Sequence, residues 1–126
     1  LKRADLSEAI LIDADLQHAN LTETQVIGTD FTGAFLTGAC LEAWNYDRFT
    51  CFKDVNCEFI FLSEFPNAKG NRERRPHDPD RTFASGDFEK LYQEAMNLIE
   101  ILLKDGMKNG EALRLALSEV MQLHPE

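Results

Sequence analysis

The sequence predicts a mainly β solenoid with helices at its C-terminal end, and three observations lead to this fold class. An apolar residue returns at every fifth position as far as Tyr46, and a small residue stands two positions before it. The second half of the chain carries apolar residues at helical spacing. Because a period of five fits neither an α-helix nor a β-strand, the repeat is predicted to be a turn-containing unit that winds a solenoid.

The predicted core combines the apolar series with its small partners. The apolar series is Leu6, Leu11, Leu16, Leu21, Val26, Phe31, Leu36, Leu41 and Tyr46. The small partners are Ala4, Ala9, Ala14, Ala19, Thr24, Thr29, Ala34 and Ala39, and only Trp44 departs from the rule. Since only a small side chain fits where the backbone turns tightly over a core, alanine is expected at these positions.

The simple count fails after Tyr46. It would bury Asp54 and Asn56 without partners, at a cost of about 1–3 kcal/mol each. One extra residue near Phe49, as in a β-bulge, restores an acceptable pattern. The predicted inward residues are then Thr50, Phe52, Val55, Cys57, Ile60 and Leu62.

The same shift turns aromatic side chains outward on the last coil. Four of them would form an apolar patch large enough to need a cover. A helical stripe from Asp87 to Lys104 and a second one through Leu113, Ala116, Leu117, Val120 and Met121, closed by His124 and Pro125, are predicted to form a hairpin that covers it. The predicted interface of this cap is Trp44, Phe49, Phe59, Phe61, Phe65, Phe88, Leu91 and Leu102.

The chain is therefore divided into three parts. Residues 1–65 are the repeat solenoid, residues 66–86 an irregular linker rich in Pro, Asn, Asp and Arg, and residues 87–126 the helical cap. Because Leu1 is not Met and lies within a repeat, we expect further coils or another domain upstream in the natural protein. No apolar run is long enough to span a bilayer, and a cytoplasmic location is expected.

The repeat unit reads Ala-Asp/Asn-Leu-x-x, as in Ala4-Asp5-Leu6 and Ala19-Asn20-Leu21, and it resembles the pentapeptide repeat family. This resemblance implies a right-handed quadrilateral β-helix of about three coils, with four repeats in each coil. The strings from Arg74 to Pro76 and from Phe83 to Phe88, together with Trp44-Asn45 and residues 55–62, resemble the cyanobacterial members of that family.

The acidic charge lies mainly in the repeats. The net charge of the chain is −9, and residues 1–65 hold eleven acids against four bases. Ordinary solubility accounts for such a charge. The alternative is DNA mimicry, since the resemblance includes acidic proteins that bind topoisomerases. Folding at twenty positions per coil stacks Asp5 with Gln25 and Asn45, which leaves no acidic column, and three coils span only about 10–15 Å.

The sequence offers no set of residues for catalysis or for a metal. Cys40, Cys51 and Cys57 follow no metal-binding spacing, and His18, His77 and His124 are scattered. In the shifted register Cys57 is inward, whereas Cys40 and Cys51 face outward. The arginines at 72, 74, 75 and 81 are nearly neutralised by Glu73, Asp78 and Asp80, which argues against nucleic acid binding; Arg75 could instead pair with an acid of the last coil.

These observations predict a protein that is not an enzyme and has no cofactor, metal, nucleic acid, membrane or small-molecule substrate. We expect a structural or protein-interaction module that serves as a scaffold or oligomerisation unit and binds a protein partner or a second copy of itself. The alternative, in the full-length protein, is a DNA-mimicking modulator of gyrase.

Overall fold

A computed structural model describes residues 1–108, 111–113, 115–117 and 119. Its regular elements are two short strands, β1 at Ile60–Phe61 and β2 at Arg74–Arg75, and one long helix, α1 at Asp87–Lys104. Residues 111–113, 115–117 and 119 are helical and form a second helical segment. The predicted positions Val120, Met121, His124 and Pro125 lie outside the described residues. The described chain thus contains far less regular β structure than the predicted mainly β fold class would have.

Residues 1–62 are instead joined by isolated parallel bridges. The first five bridges share one spacing along the chain, that of Asp5 with Gln25, and the series continues to Gln25 with Asn45. Main-chain hydrogen bonds flank each bridge, as where the Leu6 N–H donates to the Gln25 carbonyl at 2.8 Å. The chain therefore returns to the same place at this regular spacing and forms three layers, which we define as residues 1–20, 21–40 and 41–62.

Each layer is built from four-residue turns. In each turn an N–H bonds back three residues, as from Ala9 to the Leu6 carbonyl at 2.9 Å, and the residue before the donor has a positive φ. A positive φ at the third residue is the signature of a type II turn. These third residues are Arg3, Glu8, Asp13, His18, Glu23, Gly28, Gly33, Gly38, Ala43 and Asp54. The turn from Asp47 to Thr50 is an exception, since Phe49 does not have a positive φ.

The Asp or Asn of the repeat unit stabilises the turn that follows it. Side-chain oxygens of Asp5, Asp15, Asn20 and Asp30 each accept the N–H two residues later, at 2.9–3.1 Å. The Ser7 N–H, acting on Asp5, and Thr32, acting on Asp30, lower the pKa of these carboxyl groups. The consensus Asp/Asn is thus an Asx turn repeated along the chain.

The inward series is buried from the second layer onward. Leu21, Val26, Phe31, Leu36 and Leu41 are at most 1% exposed. The predicted core residues of the first layer are only half-buried, because no described layer packs on their other side: Ala4, Leu6, Ala9, Leu11, Ala14, Leu16 and Ala19. Of these seven, Leu6, Leu11, Leu16 and Ala19 pack against the buried core.

The predicted extra residue is present. In the last three bridges, Asp30 with Cys51, Phe35 with Asn56 and Cys40 with Phe61, the partners stand one position further apart than in the first five. Asp47 Oδ1 holds the altered turn by accepting the N–H groups of Phe49 and Thr50 at 3.0 and 3.1 Å. All six inward residues predicted from this shift are buried: Thr50, Phe52, Val55, Cys57, Ile60 and Leu62.

The segment after the third layer is anchored to that layer. β2 lies inside the predicted irregular linker and pairs antiparallel with β1, so that Ile60 faces Arg75. The Phe83 N–H also donates to the Glu58 carbonyl at 2.7 Å. Arg75 is buried, and its Nη2 lies 3.4 Å from Glu73 Oε1 in its own segment.

Helix α1 has the bounds predicted from its apolar stripe. Asp87 Oδ2 accepts the Ala84 N–H at 2.9 Å just before the helix. Asp87 and Glu89, both in the first turn, interact favourably with the positive end of the helix dipole. The buried face of the helix consists of Phe88, Leu91, Tyr92, Ala95 and Ile99. In the second helical segment, Ala112, Leu113, Ala116 and Leu117 join the same buried cluster.

Helix α1 closes the third layer through inward aromatics. Phe52 stacks on Phe31 of the second layer at 5.5 Å between ring centroids, and on its other side it meets Tyr92 at 4.3 Å and Phe88 at 5.6 Å. Trp44, fully buried, completes the cluster at 5.7 Å from Phe52. The cap thus covers the terminal face of the stack.

Two polar atoms are buried in this cluster. Trp44 Nε1 and Tyr92 Oη make no hydrogen bond of normal geometry within the described part of the chain. Burial also raises the pKa of the Tyr92 hydroxyl well above its usual value. An unbonded buried hydroxyl costs about 1–3 kcal/mol, so these two polar groups do not stabilise the cap. The cap is stabilised by its apolar contacts.

We predict that Tyr92→Phe leaves stability unchanged or raises it by about 1 kcal/mol, because it removes an unbonded hydroxyl and keeps the ring. Tyr92→Ala, the control, should lose about 3–5 kcal/mol through the lost ring packing. Urea unfolding measures both. A loss above about 1 kcal/mol for Tyr92→Phe would show that the hydroxyl is bonded after all.

We also predict that Gly38→Ala costs about 2–4 kcal/mol. Gly38 has φ of 77°, and a Cβ there would overlap the His18 ring in the layer below. Gly70 has a comparable φ of 81°, and a Cβ added there would have no neighbouring atom within 4 Å. Gly70→Ala therefore isolates the backbone cost of about 1 kcal/mol. Urea unfolding of both variants and of His18→Ala/Gly38→Ala should show partial recovery in the double variant. Equal losses for the two single variants would contradict the packing.

Candidate protein-interaction surface

A groove separates the altered turn of the third layer from helix α1. Its volume is about 440 Å³, and its walls are residues 47–53 on one side and Glu89, Tyr92, Gln93 and Met96 on the other. The register shift produces one wall, and the helix that covers the inward aromatics produces the other. The groove is therefore a direct result of how the cap is seated.

Two polar contacts fix the distance between the walls. Arg48 Nη2 lies 2.6 Å from Glu100 Oε1, and the Asp54 N–H donates to Glu89 Oε1 at 3.0 Å. The Glu89 contact lies near the start of α1 and the Glu100 contact near its end. Although such exposed contacts contribute little free energy, they set the position of the helix along the layer.

Phe49 stands at the rim of this groove with 72% of its surface exposed. The Phe49 N–H is held by Asp47, whereas its ring has no aromatic partner among the described residues. A large exposed aromatic beside an apolar cleft is typical of an interaction site, because aromatic side chains supply much of the binding free energy at interfaces.

The predicted cap interface is only partly correct. Trp44, Phe88 and Leu91 are buried in the cluster with α1, and Leu102 packs against it half-buried. Phe49 and Phe65, at 72% and 71% exposed, lie outside the cap. The helices cover the inward rings of the third layer, where more apolar surface is removed from water, and leave these two outward rings free.

Phe59 and Phe61 are covered by arginines. The Arg74 guanidinium carbon lies 4.7 Å from the Phe59 ring centroid, and that of Arg72 lies 3.9 Å from the Phe61 ring centroid. These stacked cations come from the segment that was predicted to be an irregular linker. The two rings therefore meet cations of that segment, where the sequence predicted helices.

The basic cluster is engaged within the chain. Arg74 donates to the carbonyl groups of Pro76, Asp78 and Arg81, and Arg72 Nε donates to the Ser63 carbonyl. These contacts order the segment between the third layer and α1. They leave the cluster poorly placed for a phosphate backbone, which requires a basic stripe facing solvent.

Phe65 lies on a different part of the surface. Lys2 Nζ is 5.9 Å from its ring centroid and 2.9 Å from Glu64 Oε1, so the first layer is tied to the end of the third. Lys2, and after it Asn20, lowers the pKa of the Glu64 carboxyl. Phe65 is thus as exposed as Phe49 but has a cation beside it and no groove.

The Cys, His, Asp and Glu side chains were also candidates for a metal site. Among the described residues, no group of three or more His, Cys, Asp and Glu side chains could hold a metal ion. Burial, and to a lesser extent the charge of Glu58, raises the pKa of the Cys57 thiol to about 12. Cys40, predicted to face outward, is buried with its Sγ 3.2 Å from Thr22 Oγ1, because Asn20 and Phe61 flank it in neighbouring layers.

The acidic side chains do not line up along the stack. The bridges place Asp5 over Gln25 and Gln25 over Asn45, as the sequence count predicted, so no column of carboxylates runs through the layers. Separately, no helix in the described portion has the length and apolar character needed to cross a bilayer.

Arg48, Lys53, Gln93 and Met96 line the groove, and none of them was singled out from the sequence. For one wall a signal existed, because the predicted extra residue lies beside Arg48. That signal does not show that the turn and the helix lie opposite each other.

Comparison with known families supports the repeat. A search of curated proteins found no match. The family model for pentapeptide repeats matches residues 1–42 in eight copies. This segment covers the first two layers, where the five-residue period and the turns are uninterrupted. The family model does not divide the family further, so the cyanobacterial type stays a prediction. Residues 1–42 are therefore a run of eight pentapeptide repeats.

Proposed function

We propose that this chain is a non-catalytic protein-interaction module in which a rigid repeat stack presents a binding surface beside its helical cap. Proteins with pentapeptide repeats are typically non-enzymatic repeat modules. The finer architecture in this proposal is a right-handed quadrilateral β-helix of about three coils, closed by two helices. The regular spacing of the bridges and the turn at every fifth position support it.

The observation that carries the proposal is Phe49, exposed at 72% on the rim of the groove. The rest of the third layer buries its aromatics or covers them with arginines. The altered turn holds Phe49 in place through Asp47, so an incoming partner would meet a ring whose backbone is already ordered.

The remaining parts of the proposal concern what the module does not do. Its binding surface takes a protein partner rather than nucleic acid, a membrane or a small-molecule substrate. The gyrase alternative gains no support from the layers, since none of the bridged acids Asp5, Asp15 and Asp30 faces another acid. A cytoplasmic location stays a prediction.

We predict that Phe49→Ser weakens binding of the protein partner at least tenfold, because removing a central aromatic contact typically costs more than about 1.4 kcal/mol. Phe65→Ser is the matched control, since that ring is equally exposed but lies away from the groove. Affinity capture from extracts of the source organism, quantified by mass spectrometry, and light scattering of the purified protein are the two measurements. A wild-type protein that stays monomeric at high micromolar concentration and captures nothing would contradict the proposal, as would capture that is unaffected by Phe49→Ser.

A further inference from the structure

The surface around the groove carries a protruding ring and a cleft side by side. Phe49 protrudes at the rim, and the cleft beside it is bounded by Phe52, Tyr92 and Met96. A two-fold dimer uses the same patch on both copies, so the patch must hold both halves of the contact. A knob next to a hole satisfies this condition.

The cleft has room for an aromatic ring. Its volume is about 440 Å³, whereas an apolar cavity of about 150 Å³ is enough to hold benzene in another protein. Met96, which is half-buried, offers a contact that a ring prefers, because the thioether sulfur packs well against aromatic edges.

Charge favours a second copy at this patch in particular. The chain has a net charge of −9, so two copies repel each other over most of their surfaces. The groove is lined by two acids, Asp47 and Glu89, and two bases, Arg48 and Lys53, which leaves it neutral. Two copies can therefore meet here without net repulsion between the facing patches.

A two-fold arrangement also brings unlike charges together. Lys53 is exposed and makes no ion pair within the described chain. Glu89 Oε1 already accepts the Asp54 N–H, and its Oε2 has only a long contact of 3.4 Å with Gln93. That second oxygen is open to an ammonium group from another chain.

We propose that the chain forms a two-fold dimer in which Phe49 of each copy enters the groove of the other. This inference rests on the proposed function and names the partner as a second copy. In the dimer, the ring lies between the 47–53 segment and α1 of the other copy, and Lys53 of one copy faces Glu89 of its partner.

Sedimentation equilibrium of the full chain tests the dimer with two variants, each of which removes a different half of the contact. Phe49→Ala removes the knob and keeps the hole, whereas Gln93→Trp fills the hole and keeps the knob. Each should raise the dimer dissociation constant about 100-fold, since each abolishes both reciprocal contacts. An equimolar mixture of the two variants retains one contact, so its dissociation constant should lie only about tenfold above wild type.

Phe65→Ala should leave the dissociation constant within about twofold of wild type, and circular dichroism checks that every variant is folded. Phe49 is exposed, so its replacement tests the dimer even where Gln93→Trp fails to fold. A monomeric wild type, a Phe49→Ala protein that dimerises like wild type, or a mixture of folded variants no better than either alone would overturn the dimer. If the wild type is monomeric yet captures another protein through Phe49, the dimer is wrong and the proposed function stands.

Discussion

Hydrogen bonding between successive layers is the constraint on which the structure depends. Each bridged residue must face its counterpart in the next layer, as Asp5 faces Gln25, because the main-chain N–H and carbonyl groups around it have to be paired. The first two layers turn at every fifth position, and each of these turns has a residue with positive φ. The cost of placing non-glycine residues in that conformation is offset by Asx contacts and by burial of the central apolar residue. The consensus sequence of the repeat follows from this constraint.

One extra residue in the third layer then decides where the binding surface lies. It turns Phe52 inward, between Phe31 and Tyr92, and leaves Phe49 outward beside Asp47. The inward ring gives helix α1 its docking face, and the outward ring becomes the rim of the groove. Cap and groove are therefore two consequences of a single change in register, and a partner bound at the groove would contact both the repeat stack and the helix.

Features with a local period could be predicted from the sequence, whereas features that join distant segments could not. The five-residue spacing predicted the inward residues of the second and third layers and the extra residue near Phe49, whereas the layer length was implied by the family resemblance. The 3.6-residue spacing predicted α1 to its bounds. The arginine cover of Phe59 and Phe61 was missed because no pattern in the linker indicates which ring a guanidinium meets. The site was missed for the same reason, since its walls come from residues 47–53 and from α1.

The register of the third layer can be measured directly with one new cysteine. Cys51 is native and bridges Asp30, whereas an unshifted register would place Asp30 opposite Thr50 and turn Cys51 inward over Phe31. Parallel neighbours lie within the distance that a disulfide can span. Mild oxidation of Asp30→Cys should therefore form a bond between residues 30 and 51, detectable by peptide mass mapping, while Gln25→Cys on the neighbouring face should form none with Cys51. No bond from residue 30 to Cys51, or an equal yield from residue 25, would contradict the shifted register.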